Sequence, residues 1–348
     1  MFTYSRYIGW NMQKKHKRIS SRDVAERAGV SQATVSRVFT PGKQVSVDKR
    51  HRVMKAADEL NYKPSIIARS LIQNSTRIIG IVMKRFESSY YTCALDLFSQ
   101  KLQTLGYSIM LLNINGDQSL EETLPIALEY QVDGLIITSA TLSSPLVEEC
   151  TRFDTPVILF GRVNNGENVH SICTNNESGG RQIAEYLIQK GHRRISYIAG
   201  EAGSSTNRDR FRGFNERLME DGITLYSQFE GDFTYPSGIE AAILLLSQTE
   251  RPTAVFCASD YMAIAFMDVA RNEFNLAIPD DISVAGFDDI SMSSWPNYML
   301  TTYHQHIEAL VENTISILLQ ALKNPGMPIA HQYIQGKFVE RSTVKEIS

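Results

Sequence analysis

The chain has 348 residues, 43% of them hydrophobic, which is enough to bury sizeable cores and excludes a small scaffold held together by disulfides. Its net charge of −3 hides an uneven distribution, because 15 Lys and Arg stand against 5 Asp and Glu up to Ser75, whereas the remainder carries 20 and 33. A basic segment ahead of an acidic body predicts a polyanionic partner, with nucleic acid the leading candidate and a membrane surface the second.

The first residues contain a basic run, QKKHKR at 13–18, but such a run is more typical of a solvated tail than of a binding site. We expect residues 1–18 to form a disordered basic extension, and the start of the protein at Met1 or at Met12 stays open. These residues lack the apolar core of a signal peptide, and no later stretch is long and apolar enough to span a bilayer. The sequence therefore predicts a cytoplasmic protein that does not enter a membrane.

Four cysteines are spread along the chain without the C-x-x-C spacing of metal or redox sites. This pattern is typical of reduced, mostly buried thiols in the cytosol. We therefore expect no disulfide and no metal ligand at Cys93, Cys150, Cys173 or Cys257.

Residues 19–29 predict a first short helix. Ser20 and Asp23 have the spacing of a capping box at its start, and Gly29 ends it. The apolar face of this helix is expected to consist of Val24, Ala25 and Ala28.

A second short helix follows, with the Ser31 side chain placed to cap it. Its apolar side is expected to consist of Ala33, Val35 and Val38. Two short helices joined by a tight turn with glycine form the helix-turn-helix pattern, in which the second helix enters the major groove of DNA. The side chains suited to reading bases or binding phosphates are Gln32, Thr34, Ser36 and Arg37. Without the flanking sequence, a solvated polar helix explains these residues equally well.

A third helix is predicted after Ser46, which would cap it, and it closes a small core with the first two. Its apolar face is expected to hold Val47, Val53, Ala56, Ala57 and Leu60, and its opposite face Lys49, Arg50, Arg52 and Lys55. Pro64 then begins a further short helix in NYKPSIIARSLIQNST. We assign residues 19–64 to a helix-turn-helix DNA-binding domain and residues 65–77 to a hinge helix and linker.

From residue 78 onward, buried strands alternate with amphipathic helices. The apolar runs that predict strands lie at 78–83, 107–114, 133–139, 155–161, 194–200, 253–259 and 282–288, and the helices between them at about 90–105, 119–130, 144–152, 178–190 and 207–221. Repeated strand–helix units with nearly continuous apolar strands predict parallel sheets with helices on both faces.

The stretch SSRDVAERAGVSQATVSRVF, then QVS, then NYKPSIIARSL, resembles the headpiece and hinge helix of the LacI/GalR family of bacterial transcription repressors. The resemblance continues through residues 78–348. It implies an all-α headpiece and hinge helix joined to an α/β, periplasmic-binding-protein-like body for effector binding and dimerisation, with two parallel-sheet subdomains. We expect one subdomain at about 78–174 and 304–330, and the other at about 175–303 and 331–345.

The resemblance also implies residues that contact DNA. These are Ser31, Gln32, Ala33 and Thr34 at the major groove, Ser36 and Arg37 at phosphates or bases, and Ala68 and Leu71 in the hinge helix. In a homodimer the two Leu71 side chains would enter the minor groove and kink the DNA, and the double-stranded operator would be pseudo-palindromic. Thr40 and Pro41 depart from the family, which often has Asn at the end of this helix, and this puts the helix's last turn in doubt.

Ligands of open parallel sheets bind beyond the carboxyl ends of the strands, here near residues 84–91, 161–162, 201–210, 259–260 and 288. The resemblance implies effector contacts at Tyr90, Tyr91, Thr206, Arg210, Phe233, Ser259 and Asp288. Arg162 is added because its guanidinium suits paired hydroxyls. Other roles stay open, namely core packing for Tyr91, a surface ion pair for Arg210 and a helix cap for Asp288.

The class of effector is inferred from the positions at which this sequence departs from other members of the family. RPTAVFCASDYMAI and GDFTYPSG are most similar to purine-responsive members, but Gly161 and Arg162 stand where those members have an acidic and an aromatic residue, and Ser204 where they have an arginine. Charged planar groups with aromatic rings suit a polyhydroxylated molecule. A sugar or sugar derivative is therefore favoured, and a purine or nucleoside corepressor is the alternative.

Motifs of nucleotide-binding loops, serine hydrolases and zinc proteases are absent, so we expect no catalytic residues, cofactor or metal. His304 and His306 are interpreted as a crossover between subdomains rather than as metal ligands. The rival functions are a solute-binding protein of a transporter, which would not need residues 19–75, and an enzyme that handles sugars or nucleotides. The final KFVERSTVKEIS has no heptad repeat, so a homodimer is expected rather than a tetramer. Induction and corepression both stay open.

Overall fold

The computed structural model describes residues 19–40, 42–63, 75–84, 89–114, 119–138, 144–163 and 169–347. Its contacts divide the chain into two compact units, Met1–Thr76 and Arg77–Ser348. The four cysteines are free thiols in the second unit, and all but Cys93 are buried.

The first unit contains the helices α1 (Ser21–Ala28), α2 (Gln32–Val38) and α3 (Val47–Glu59). Ser20 and Asp23 form the predicted capping box, and the Asp23 carboxylate accepts from the Ser20 N–H at 2.7 Å. Gly29 ends α1 in the left-handed region at φ 63°, where a side chain would be strained. Ser31 caps α2 by accepting from the Thr34 N–H at 3.3 Å. The predicted helix-turn-helix is therefore confirmed.

A small core holds these three helices together. Its buried members are Val24, Ala25, Ala28, Val35, Val38, Val53, Ala56 and Ala57. Two arginines of α3 add polar contacts, since Arg50 donates to the Val38 carbonyl at 3.2 Å and Arg52 to the Ala28 carbonyl at 3.4 Å. These carbonyls belong to the last residues of α2 and α1, where a carbonyl has no N–H partner within its own helix.

Three expectations for this unit are wrong in detail. Ala33 is exposed, and Val47 is 85% exposed, because each lies on the side of its helix that faces away from the buried valines. Ser46 precedes α3, but its side chain makes no cap hydrogen bond. At the departure from the family pattern, the Thr40 hydroxyl donates to the Ser36 carbonyl at 2.8 Å and satisfies an acceptor in the last turn of α2.

The hinge segment is mostly outside the described residues, which resume at 75. Ala68 and Leu71 fall in that part of the chain, so their place in a helix stays a prediction. The division between the two units after Thr76 lies beside the predicted end of the linker.

In the second unit most strands are followed by a helix, and the seven predicted strands are all present. Its helices are α4 (Ser89–Thr104), α5 (Leu120–Glu129), α6 (Ser144–Arg152), α7 (Asn176–Gln189), α8 (Ser205–Glu220), α9 (Tyr235–Leu246), α10 (Asp260–Asn272) and α11 (Ile307–Lys323). Its strands are β1 (Ile78–Met83), β2 (Ser108–Asn113), β3 (Gly134–Ile137), β4 (Val157–Phe160), β5 (His170–Thr174), β6 (Ile195–Ile198), β7 (Ser227–Phe229), β8 (Ala254–Cys257), β9 (Ser283–Ala285), β10 (Thr302–His304), β11 (His331–Ile334) and β12 (Lys337–Val339). The sequence patterns did not predict β5, β7, α9, α11 or the last three strands.

Two parallel sheets form the body. One has six strands in the order β11-β5-β4-β3-β1-β2, and the other has four in the order β7-β6-β8-β9. All pairings within both sheets are parallel. The strands β3, β4, β6 and β8 are buried along their whole length, as the continuous apolar runs predict. The expected class of fold is therefore confirmed.

The chain crosses between the sheets near residue 304, where β10 and β12 pair antiparallel. Helix α11 then packs on α4, β4 and β5, on the six-stranded side. Strand β11 pairs with β5, so residues 331–334 belong to the six-stranded sheet and not, as expected, to the second subdomain. The sequence HQYI alternates exposed and half-buried side chains, so it gives no buried-strand signal.

Helices α7 and α8 approach each other closely at two glycines. A Cβ at Gly180 would overlap the Arg210 carbonyl, and a Cβ at Gly213 would overlap the Glu177 carbonyl. Neither overlap can be relieved by turning a side chain, because both contacts are to backbone. The two glycines therefore fix the backbone position of Arg210.

We expect Gly213→Ala to destabilise the body by about 1–3 kcal/mol, since the added methyl group must push two helices apart. Thermal unfolding followed by circular dichroism measures the effect. Glu216→Ala, on the outer side of α8, is the control and should melt as the unmodified protein does. Equal melting temperatures for both variants would show that the contact is not tight.

Candidate functional site

The predicted DNA-reading residues of the headpiece lie at the start and along the outer side of α2. At its surface, the hydroxyl-bearing Thr34 and Ser36 are half-buried, and four residues are exposed: Ser31, Gln32, Ala33 and Arg37. The Gln32 side chain donates to the Ser21 hydroxyl at 2.8 Å, which connects the start of α2 to the start of α1. Ala33 is exposed and does not belong to the core, so it is available for contact with a base. The described part of the predicted DNA surface is therefore polar and accessible.

All eight predicted effector contacts line one cleft of the body, which contains about 730 Å³ of space including its open side. They come from the starts of α4, α8 and α10 and from the segments that follow β4, β7 and β9: Tyr90, Tyr91, Arg162, Thr206, Arg210, Phe233, Ser259 and Asp288. The residues that the strand-end argument nominates thus lie together in one cleft. The role of these side chains as ligand contacts stays a prediction.

Arg210 is the most constrained side chain of the cleft. It is 3% exposed, its Nε donates to Asn176 Oδ1 at 2.9 Å, and a second nitrogen donates to the Ala258 carbonyl. Its guanidinium lies 3.7 Å from the centre of the Phe287 ring and 3.2 Å from an oxygen of Asp288. The alternative of a surface ion pair is therefore excluded for Arg210.

Asp288 faces Arg210 and has unusual backbone geometry, with φ 128°. Its Oδ1 accepts from Gln305 Nε2 at 2.6 Å. Burial raises the pKa of Asp288 to about 7, although Arg210 acts in the opposite direction. Asp288 is not the helix cap that sequence reasoning left open. It is Asp260 that supports the next turn, where it accepts from the Ile290 N–H and the Ser293 hydroxyl.

Gln305 is a cleft residue that sequence reasoning missed. Its amide oxygen accepts from the Tyr90 hydroxyl at 3.3 Å and from the Thr174 hydroxyl at 2.5 Å, while its nitrogen donates to Asp288. Tyr90 and Thr174 belong to the six-stranded side, and Asp288 follows β9 of the other sheet. Gln305 therefore connects the two halves, and its only sequence signal is its position between His304 and His306 at the crossover.

Aromatic side chains form the apolar part of the cleft. Tyr90 is buried and meets Tyr91 edge to face at 5.3 Å, and burial raises the Tyr90 pKa well above its ordinary value. Tyr91 is half-buried and lines the cleft, so it is not simply a core residue. Phe233 adopts φ 70° and lies against Gly200, where a Cβ would overlap the ring.

The first turn of α8 contacts the segment after β4. The Thr206 hydroxyl donates to the Gly161 carbonyl at 3.0 Å, and Ser205 Oγ accepts from the Val163 N–H at 3.1 Å. Ser259 has a structural role of its own, since it caps α10 through the Met262 N–H at 3.4 Å. Both Thr206 and Ser259 nevertheless remain at the surface of the cleft.

Lys84 and Glu201 fall within the strand-end ranges but were not selected as contacts from the sequence. The Glu201 carboxylate lies 2.7 Å from Lys84 Nζ and 2.7 Å from a terminal nitrogen of Arg162. Burial works to raise the Glu201 pKa, but hydrogen bonds from Lys84 and Arg162 outweigh it and hold the pKa below its ordinary value. Arg162 is therefore engaged by a protein carboxylate, which the sequence does not indicate.

His304 takes part in a polar cluster at the crossover. Its Nδ1 lies 2.9 Å from Asp289, whose other oxygen accepts from Arg341 at 2.6 Å. In the part of the chain that the structure covers, no three His, Cys, Asp or Glu side chains come together as metal ligands do. Among the described helices, none combines the length and apolar character that a membrane span requires.

Two family descriptions match the sequence. Residues 21–65 match the bacterial regulatory proteins of the lacI family, and residues 184–344 match the periplasmic binding protein-like domain. Two similar relatives carry the name HTH-type transcriptional repressor PurR. The one from Photobacterium profundum is 31% identical over 331 residues, and the one from Vibrio vulnificus is 33% identical. Each match covers 94% of this chain and 99% of the relative.

Two solved structures of transcription regulators are also similar to this chain over most of its length. The lac repressor dimer bound to operator and the anti-inducer ONPF superposes with a TM-score of 0.85 at 29% identity. The transcriptional regulator CelR in complex with cellobiose superposes with a TM-score of 0.69 at 28% identity. Both matches cover 94% of this chain and 100% of the solved one.

The raised pKa of Asp288 predicts how stability depends on pH. Because the folded protein holds this proton up to about pH 7 and the unfolded chain loses it near its ordinary pKa of 3.8, folding stability should fall as pH rises between these values. The slope of this contribution is at most about 1.4 kcal/mol per pH unit. The Asp288→Asn variant lacks this contribution. Its melting temperature should therefore rise relative to that of the unmodified protein as the pH increases across this window.

Thermal melts of the two proteins at several pH values provide the comparison. Asp280→Asn removes a carboxyl outside the cleft and serves as the matched control. A difference between Asp288→Asn and the unmodified protein that stays constant with pH would contradict the assignment of a buried, protonated carboxyl.

Proposed function

Because the chain belongs to the lacI family of bacterial regulatory proteins, we propose that it represses transcription by binding an operator and changes its operator affinity when a small molecule fills the cleft. The observation that carries this proposal is the presence of two sites in one chain. A helix-turn-helix exposes a polar α2, and a second unit contains a cleft lined by aromatic and charged side chains. A plain solute-binding protein would have no use for the first unit.

The proposed DNA contacts are Ser31, Gln32, Ala33, Thr34, Ser36 and Arg37 on α2, with Ala68 and Leu71 in the hinge segment. We propose a homodimer on a pseudo-palindromic operator, as a two-fold dimer places two equivalent helices in successive major grooves. The similar lac repressor structure is a dimer bound to operator, which supports this arrangement. We place the regulator in the cytoplasm because its proposed partner is chromosomal DNA.

The effector we propose is a sugar or sugar derivative. Arg210, Asp288 and Gln305 present charged and amide groups that can each bind adjacent hydroxyls, and the Tyr91 and Phe233 rings can cover the apolar face of a sugar. The similar CelR structure contains cellobiose. A purine is the second candidate, because relatives at 31% and 33% identity are named PurR.

The chemistry of the cleft gives no support to an enzyme. No histidine that could activate a serine or threonine hydroxyl as a nucleophile lines the described cleft. The relatives are repressors. We therefore propose that the bound molecule is released unchanged.

Switching follows from the contacts that cross the cleft. Gln305, the first turn of α8 and Glu201 each connect the four-stranded side to the six-stranded side. A molecule that binds one relative orientation of the two sides more tightly shifts the population toward it. Through the linker, this orientation would set the distance between the two headpieces of a dimer.

Gln32→Ala should weaken binding to the specific operator by roughly 1–3 kcal/mol and leave binding to a scrambled duplex unchanged, because base contacts specify sequence and phosphate contacts do not. Fluorescence anisotropy with an operator duplex selected from a random pool measures both affinities. An equal loss on the two duplexes would mean that Gln32 does not read a base.

Leu71→Ala should lower operator affinity at least tenfold, or about 1.4 kcal/mol, if this side chain kinks the duplex. Affinity for small molecules should stay the same, because the described residues that line the cleft all lie in the second unit, after Thr76. Leu244→Ala, an exposed leucine of α9, is the control. Unchanged operator affinity for Leu71→Ala would refute the hinge assignment.

A further inference from the structure

The charged residues at one end of the cleft come from opposite sides of it. Lys84 follows β1 and Arg162 follows β4 of the six-stranded sheet, whereas Glu201 follows β6 of the four-stranded sheet. The Glu201 carboxylate therefore lies between two cations from the other half, at 2.7 Å from each.

The described lining of the cleft contains more cationic than acidic side chains. Among the described side chains that line it, Lys84, Arg162 and Arg210 are cationic, whereas Glu201 and Asp288 are acidic. Asp288 carries only part of its charge at neutral pH, since burial raises its pKa to about 7. A site of this sign, partly shielded from water, attracts an anion more strongly than an exposed site does.

Arg162 has hydrogen-bonding capacity that the described protein does not use. Its side chain is 11% exposed, and within the described residues its Nε–H has no hydrogen-bond partner, while a terminal nitrogen binds Glu201. A guanidinium can bind phosphate or carboxylate through two parallel N–H groups. The contacts with Glu201 and Tyr91 occupy only part of the guanidinium and leave its Nε–H for a different anion.

We propose that the effector carries an anionic group, a phosphate or a carboxylate, which binds Arg162 and Lys84 in place of the Glu201 carboxylate. The polyhydroxylated part of the same molecule lies toward Arg210, Asp288 and Gln305. Glu201 keeps the two cations paired when the cleft is empty, and its displacement removes one connection between the two halves. This inference rests on the proposed function because it concerns the same cleft.

The first test uses inorganic phosphate as the probe and isothermal titration calorimetry of the full-length protein. Glu201→Gln removes the competing negative charge, so phosphate affinity should rise by about tenfold or more, and Arg162→Gln should lower it by a similar factor. Arg208→Gln is the matched control. Arg208 also lies on α8 and pairs with Asp209, but it does not line the cleft. Equal phosphate affinity in all four proteins would overturn the proposal.

The second test distinguishes a phosphate from a carboxylate by comparing three sugars that share the configuration of glucose. Thermal shifts are compared for glucose, glucose 6-phosphate and glucuronate in the unmodified protein and in Arg162→Gln. A larger shift for either charged sugar, lost in Arg162→Gln, supports the proposal and identifies the anion. The proposal is contradicted if glucose gives a thermal shift as large as both charged sugars do and if its shift is the same in Arg162→Gln.

Operator binding separates this proposal from the proposed function. If neutral sugars release the operator and anions have no effect, the anionic effector is wrong and the regulator stands. If phosphate binds as expected but no cleft ligand changes operator affinity, the anion site stands and the switching function is wrong.

Discussion

Arg210 and Asp288 face each other at 3.2 Å in the buried part of the cleft, where burial opposes the Asp288 charge and Arg210 favours it. Taking such ions out of water costs several kcal/mol each unless hydrogen bonds and an opposite charge replace the lost hydration. Asn176, the Ala258 carbonyl and the Phe287 ring contact the guanidinium, and Gln305 donates to the carboxylate. Two glycines allow α7 and α8 to approach closely enough to place Arg210 there.

The same pair connects the two sides of the cleft, because the Gln305 that donates to Asp288 also accepts from Tyr90 and Thr174. Glu201 and the first turn of α8 form the other contacts across it. These contacts are directional, so a change in the relative orientation of the sheets breaks several of them together. Groups of this kind favour discrete states over continuous deformation, which is the property that a ligand-controlled switch requires.

Sequence reasoning located the cleft because the carboxyl ends of parallel strands meet at one edge, and this rule needs only the strand positions. It could not find Gln305, which lies in an irregular crossover, or the Glu201 contacts, since 117 residues separate Lys84 from Glu201. Ala33 and Val47 show a different limit. Their apolar character suggested core positions, but the phase of a short helix depends on where it begins, and both lie on the outside. Residues 331–334, which form β11, lie in the six-stranded sheet and not in the expected second subdomain. Their alternating exposed and half-buried side chains carry no buried-strand pattern.

If occupation of the cleft and operator binding are coupled, each must change the affinity for the other by the same factor. The most direct measurement uses the compound that gives the largest thermal shift in a panel of sugars, sugar phosphates and purines. Operator affinity is measured with and without a saturating amount of that compound, and the compound's affinity with and without saturating operator. We expect both affinities to change by the same factor, at least about fivefold. An operator affinity that stays the same when the cleft is filled would contradict this expectation.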